Sequence, residues 1–524
     1  MPRAPALSAR STAEKAGSRA PARAQKDSFR SPVAADIPTS PHLVWPGRSW
    51  TLGDQAAGGS APGKTVVVET SAASPPTPPH RLILGDVLDV SAVLHREKIA
   101  GSVALVYVDP PYASQADYVH EARLDGRADG RLKRTLAYED NWSPGAYLDM
   151  LAPRLEALVS LLAPNGTIWV QVDWRASHFV RLLLDEIMGA SRFLNEIVWR
   201  RAPNLGRQAA SSQFGRTLDT IIVYGGKKAR LTPPTRLEPI DERAIRWDEE
   251  KRPTTLAPRG DYTDASIARL EAEGRVHRTA SGKVYIKYFL VKDGAGRWCR
   301  ERRVDALWTD VPPLRHAKLE ERTGYPTQKP RALLDRIVAA ASQPGDLVVD
   351  LFSGSGTTAE SAHALGRRAI VGDIAPLAIS NARARLLRAN APLSVEACEG
   401  RSLAGHADAS ARITRSESDR LEIKLETPLE PLAWCAGSVT AGRLELTSHG
   451  ERTMGNSARA VEDTINMAIT KSRPIGIRVY EDDGGIAAIQ IAQADLPVVG
   501  ESITVRASAS SKAASPKLES KANS

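Results

Sequence analysis

Two rhythms alternate along the chain. Short apolar runs occur at Leu82 to Leu84, in "LVYVDPPY" and in "TIWVQVDW", and each reads as a buried strand. Between them the apolar positions fall three and four apart. "SPGAYLDMLAPRLEALVSLLAPNG" opens on a capping serine, Ser143, and predicts a helix that runs to an Asn165–Gly166 stop. "RASHFVRLLLDEIMG" predicts a second, amphipathic helix, and "NEIVWRR" and "TLDTIIVYGG" are further strands. Strands alternating with helices predict an α/β fold with a mainly parallel sheet.

From Lys227 to about Arg322 the alternation breaks down. Charged, proline-containing and short aromatic segments succeed one another, as in "KVYIKYFLVKDGAGRWCRERR". This predicts an inserted α+β region over 227–322. Regular α/β resumes over 323–400, where "KPRALLDRIVAAASQPGDLVVDLFSGSGTTAESAHALGRRAIVGDIAP" reads helix, strand, glycine-rich turn, helix, strand. Residues 76–226 form the other regular half. Beyond about Glu399, "LEIKLE" alternates strictly, and "IGIRVYEDDGGIAAIQIAQ" reads as a hairpin around Asp-Asp-Gly-Gly. Residues 410–505 therefore predict a small strand-rich accessory domain, to which no chemistry attaches. Residues 1–75 are rich in Ala, Arg, Pro, Ser and Gly and predict a disordered basic tail; 506–524 predict a second disordered tail.

Composition narrows the class. The 524 residues are 42% hydrophobic, enough for sizeable cores, and no apolar run reaches the ~18 residues of a membrane span. The three cysteines, Cys299, Cys398 and Cys435, are far apart, which argues against a disulfide scaffold and against a structural metal site. A reducing cytoplasm is the expected location. Net charge is +9, and residues 200–330 alone hold 27 Lys and Arg against 17 Asp and Glu. So localised an excess suits a polyanion, with nucleic acid the leading candidate.

Two motifs carry the chemistry. In "VYVDPPYAS" a buried strand ends on Asp109, and Pro110 and Pro111 fix the next φ angles before Tyr112. In "LVVDLFSGSGTTAE", Gly354 and Gly356 lie between a strand and the helix that Thr357 opens, and Asp373 ends the next strand. That is the setting of a nucleotide-type cofactor. A dinucleotide is a competitor, but Asp350 at the strand end would repel a pyrophosphate. A carboxylate there suits a cofactor with ammonium or sulfonium charge, and S-adenosylmethionine carries both. Asp373 would hold its ribose hydroxyls and Phe352 would pack on its adenine. Asp109 and the Pro110 carbonyl would then accept the hydrogens of a planar exocyclic amine, a preorganised pair of acceptors. Tyr112 would stack on a base flipped from the duplex.

The two motifs together resemble the DNA amino-methyltransferases over about residues 80–395. Their order, with Asp109 before Phe352 and a long insert between, is similar to the permuted β class. The resemblance implies a permuted Rossmann-like S-adenosylmethionine-dependent methyltransferase fold whose insert recognises the target sequence. "TGYPTQKP" resembles the segment preceding the cofactor half, so Thr327, Gln328 and Lys329 would hold the methionine carboxylate. "LILGDVL" is similar to the family's N-terminal segment, where Asp86 would contact the cofactor's adenine. "EDNWSPGAYLDML" and "GTIWVQVD" look like modification subunits of type III restriction systems. Leu351 and Ser353 depart from the family pattern without removing a ligand. The expected activity is methylation of adenine N6 in double-stranded DNA, because Asp rather than Ser at position 109 is typical of the adenine enzymes. A homodimer and a restriction endonuclease subunit are the partners the resemblance allows, with no membrane.

Cytosine-N4 methylation stays open, since the geometry is the same, and so do RNA and a protein glutamine as sources of a planar amine. A cytosine-C5 enzyme is excluded because no cysteine follows a proline. A non-catalytic DNA-binding subunit would be expected to have lost Asp109, Tyr112 or the glycine turn. An NAD-dependent oxidoreductase leaves Asp109 to Tyr112 without a role.

Overall fold

Six adjacent parallel strands form the centre of the fold, each apolar on both faces and so buried between helix layers. The computed structural model describes residues 43–53, 63–71, 78–112, 116–123, 132–204, 212–401 and 403, then 410–417, 420–425, 433–440, 443–451, 464–468, 473–480, 486–499 and 501–506. The main-sheet strands that position the site are β1 (Thr65–Ser71), β2 (His80–Leu84), β3 (Val103–Val108), β4 (Leu162–Val172), β5 (Phe193–Arg200), β6 (Leu218–Gly225), β7 (Leu347–Asp350), β8 (Arg368–Asp373) and β9 (Leu393–Cys398). Their spatial order is β5-β6-β4-β3-β7-β8-β2-β9-β1. The six from β4 to β9 are parallel, while β6 and β1 run against them. Because β3 lies beside β7, the two halves of the chain meet at the middle of the sheet.

Side chains alternate between the two faces. Leu105 and Tyr107 of β3 join one core with α5 (Arg331–Ala341), α6 (Thr357–Ala364) and α7 (Pro376–Arg388). Val106 and Val108 join the other with α1 (Val87–Arg96), α2 (Pro144–Val159) and α3 (Ser177–Met188). The cofactor half thus covers one face and the half holding Asp109 covers the other.

The helix expected to reach Asn165–Gly166 stops earlier. α2 ends at Val159, and Leu162 already begins β4. Asn165 and Gly166 lie inside that strand at an irregularity of the β3–β4 register, and a Cβ on Gly166 would sit 2.4 Å from the Val103 carbonyl oxygen. A close backbone approach, not a helix stop, requires that glycine.

The N-terminal region is also more ordered than its composition suggests. In 43–53, the Arg48 guanidinium lies 4.9 Å from the ring centroids of both Trp45 and Trp50 and pairs with Glu186 of α3. The two indoles donate to Asp149 and Glu156 of α2. β1 pairs with β9 on one side and with Arg443–Glu451 on the other, which carries the sheet on through Ala433–Thr440, Ile475–Tyr480 and Ile486–Ile491. The strand-rich C-terminal region therefore continues the main sheet, and the hairpin read from "IGIRVYEDDGGIAAIQIAQ" is one of its edges. A separate four-stranded sheet packs onto it. Residues 1–42 and 507–524, read as tails, lie outside the described residues. The insert is a six-stranded sheet with α4 (Asp264–Ala272), and Leu307–Trp308 returns the chain to the main sheet beside β5.

Glu69 of β1 and Arg383 of α7 form an ion pair, 2.7 Å apart, with both side chains almost fully buried. Removing one partner takes this ion-pair compensation away from a charge in the core. Arg383→Met should therefore destabilise the chain by about 3–5 kcal/mol, read as a lowered urea midpoint. An unchanged midpoint would show that this pair does not fasten β1.

Candidate active site

Five adjacent strands of the sheet each end on or just before an aspartate: Asp173 after β4, Asp109 after β3, Asp350 at the end of β7, Asp373 at the end of β8 and Asp86 after β2. In a parallel sheet these ends share one edge, where ligands of open α/β folds bind. A cavity of about 500 Å³ opens there and takes four of the five, Asp173 excepted, into its wall.

Asp109 has both carboxylate oxygens engaged. Oδ1 accepts from the Tyr112 hydroxyl at 2.6 Å, and Oδ2 accepts from Lys329 Nζ at 2.5 Å. Pro110 is buried and holds the loop rigid; the Tyr112 amide donates to Asp140 at 3.2 Å. Lys329 Nζ also donates to the Thr327 carbonyl and lies 5.2 Å from the Tyr112 ring centroid. Burial, then the Asp109 charge, holds the Tyr112 phenol well above its ordinary range, so it stays a donor.

The glycine turn places its acids differently. Asp350 is 1% exposed and accepts from the Phe352 amide at 3.0 Å and from Thr358 Oγ1 at 2.5 Å. Burial, reinforced by Asp109 and Asp373 nearby, pushes its carboxyl up to about 7 against the pull of those two hydrogen bonds. Asp373 accepts from the Gly354 and Ala375 amides at 3.0 and 2.9 Å, and burial pushes it up to about 6. Such acids favour a cationic or hydroxyl-bearing ligand over an anion.

All the residues singled out in the sequence line this cavity except Gly356. Gly356 has φ +77°, and a Cβ on it would fall 2.5 Å from the Ala382 Cα, so it lets α6 start against α7. Gly354, at φ +47°, faces Tyr325, whose ring would lie 3.2 Å from an added Cβ. Thr357 turns its hydroxyl to the Lys329 carbonyl and to Ser355. Gln328 spends its amide on the chain itself, accepting from Thr323 and donating to the Glu321 carbonyl, so it shapes the turn in which Thr327 adopts φ 58°. Asp86 caps α1 through the Leu88 amide and pairs with Arg154 at 2.7 Å.

Sequence reasoning missed Asp140, Trp142, Arg154, Tyr325 and Ile374 of the cavity wall. Ile374 had a local signal, an apolar residue next to a strand-end acid; it is 54% exposed. The ribbon of Ala116–Arg123 and Leu132–Asp140, which delivers Asp140, carries too many charges for its alternation to be read.

A DNA methylase family model matches residues 103–383, more than half of the chain. The chain belongs to the DNA methylase family. This is a family of S-adenosylmethionine-dependent DNA methyltransferases, and it includes enzymes of adenine N6 and of cytosine N4. The type II methyltransferase M.EcaI of Enterobacter cloacae is 29% identical over 333 residues, 58% of this chain and 69% of that protein. The Mod subunit of the type III restriction-modification enzyme StyLTI of Salmonella typhimurium is 27% identical over 335 residues, 55% of this chain and 50% of that protein. The match thus spans about half the length of the Mod subunit. A 64-residue stretch, 12% of this chain and 21% of its relative, is 51% identical to the DNA adenine methyltransferase YhdJ of Escherichia coli K12.

The cavity fits the family's cofactor: strand-end acids line it, no lysine follows Gly356 to hold a phosphate, and Lys329 supplies one buried cation. A cationic ligand beside Asp350 favours its carboxylate, so binding near pH 7 must release a proton. S-adenosylmethionine affinity should fall by up to roughly tenfold per pH unit below about pH 7. Calorimetry in buffers of different ionisation enthalpy reads that proton. Equal enthalpies in all buffers at pH 7 would show that Asp350 gives up no proton when the cofactor binds.

Proposed function

We propose that the protein transfers a methyl group from S-adenosylmethionine to the exocyclic N6 of adenine in duplex DNA, on a base turned out of the helix. The observation that carries this reading is Asp109, a carboxylate fixed by two prolines, bonded by Tyr112 and opening into the cofactor cavity.

When bound, the cofactor supplies an electrophilic methyl on a cationic sulfur. The chain's residues do the rest. Asp350 receives the ammonium, Asp373 the ribose hydroxyls, and Phe352 the adenine face, with Asp86 at its amino edge. Thr327 and Lys329 would receive the methionine carboxylate, with Gln328 holding their turn. Asp109 and the Pro110 carbonyl accept the two hydrogens of the target amine, which makes its nitrogen more tetrahedral and its lone pair available. As the methyl arrives, positive charge grows on that nitrogen and Asp109 stabilises it, and one of the two amine protons is then lost to solvent to leave the neutral methylated amine. Tyr112 stacks on the base and so offsets part of the cost of flipping. Because Lys329 holds one Asp109 oxygen in the structure, it has to turn away for the amine to bind there. A carboxylate on the cofactor gives it a new partner.

Adenine is preferred over cytosine because a carboxylate is the stronger acceptor for a weakly basic amine, and the likeness to an adenine methyltransferase supports it. The likeness to a Mod subunit supports an endonuclease partner. The insert over 227–322 is assigned to target recognition and a homodimer is compatible with the reading. Among the described residues no helix is long and apolar enough to cross a membrane.

Incubating unmodified duplex DNA with the chain and cofactor, then separating nucleosides by mass, should yield N6-methyladenosine. Methyl on cytosine alone would overturn the base assignment and leave the fold and cofactor standing. Asp109→Ala should lower transfer by at least about 10²-fold while cofactor affinity holds within a few-fold. Lys329→Met should instead weaken cofactor binding by roughly ten- to a hundredfold, the scale of one hydrogen bond to a charged group. Normal turnover in Asp109→Ala would sink the mechanism.

A further inference from the structure

Beside the cavity, on the same edge of the sheet, lies a rim that the reaction does not use. Trp174 stands two residues past the end of β4, and Arg201 directly follows β5. β6 runs opposite to both, so its start at Leu218 lies on this edge too. The register sets the neighbourhood: Val108 pairs with Val170, Val172 with Thr220, and Arg200 with Leu218. The described ends of the β5–β6 connection, 201–204 and 212–217, therefore lie on the same edge as Asp109, with β4 between.

That rim is aromatic and cationic. The Arg216 guanidinium lies 4.0 Å from the Trp174 ring centroid, and that of Arg175 lies 4.9 Å away. Arg175 is fixed to the strand-end Asp173 through its amide and its guanidinium. Arg201 donates to the Arg216 carbonyl at 3.3 Å, and its Nε lies 2.8 Å from the buried Asp219, itself bonded to Gln171 of β4. Trp174 is nevertheless 46% exposed, and Phe214 is fully exposed. Residues 200–218 hold four arginines and no Asp or Glu. Large exposed aromatics interleaved with guanidiniums offer flat bases a stacking surface and phosphates a counter-charge.

We infer that this rim, Trp174 and Phe214 with Arg175, Arg201 and Arg216, holds the DNA strand flanking the extruded base. Trp174 stacks on a flanking base, Phe214 fills the space left in the duplex, and Arg216 neutralises an adjacent phosphate. The inference rests on the DNA-methylation reading and adds a surface to it outside both the cavity and the insert. Polyanion chemistry favours it over a protein partner, because among the described residues the carboxylates paired with the rim arginines, Asp173 and Asp219, are buried and leave no exposed counter-charge in those pairs.

The test uses the full chain and a duplex carrying the sequence it methylates, with 2-aminopurine at the target position. Trp174→Ala should weaken DNA binding by roughly ten- to a hundredfold and reduce the fluorescence rise that reports the flipped base. Phe214→Ala, at a position too exposed to matter for folding, should reduce that rise as well. Arg216→Gln should lower the slope of log affinity against log salt by about 0.9. Cofactor affinity, by calorimetry, should be unchanged in all three, since none of these residues lines the cavity. A Trp174→Ala/Arg216→Gln double variant with wild-type DNA affinity, flipping and salt slope would overturn the inference while methylation by the wild type kept the broader reading. A wild-type chain that neither bound nor methylated DNA would overturn both.

Discussion

Everything at the site depends on one constraint, the alignment of strand-end carboxylates along a parallel sheet. Neighbouring strands are about 4.8 Å apart, so acids on successive ends repel one another unless each is answered locally. The answers differ. Asp109 has a lysine and a phenol, Asp86 and Asp173 have arginines, and Asp373 has two backbone amides. Asp350 has only an amide and a hydroxyl, and it is the most deeply buried of the five. It therefore keeps its proton up to about pH 7. A cation brought to Asp350 would relieve that repulsion, and on this we base the proposal that the edge favours a cofactor with positive charge.

The same constraint places the chemistry. β3 and β7 are far apart in sequence and adjacent in the sheet, so Asp109, the proposed amine acceptor of one half, meets the glycine turn of the other. Lys329 enters from the segment before α5 and touches Asp109 across that seam. It links the two halves electrostatically.

Much of this was readable in the sequence because it is local. An acid that closes an apolar run and is followed by prolines or a glycine turn needs no tertiary information to be noticed, and Asp109, Asp350 and Asp373 were found that way. Residues brought in by long-range packing were not. Asp140 arrives on a charged ribbon; Trp142, Arg154 and Tyr325 lie in segments that read as motif or helix, but nothing local in those segments aims them at the cavity. Trp45 and Trp50 were hidden in a low-complexity setting, although two tryptophans around an arginine give that segment a docking surface. Gly356 carries a requirement that its motif does not announce: the approach of two helices leaves no room for a Cβ there. The stop of α2 was misplaced because Asn-Gly marks a tight backbone approach as readily as a helix end.

The central claim is that this acidic edge takes a cationic cofactor and not a pyrophosphate, and calorimetry on the wild-type chain with S-adenosylmethionine and with NAD tests it most directly. The account predicts saturable binding of S-adenosylmethionine and none of NAD at the same concentrations. Binding of NAD without S-adenosylmethionine would contradict it.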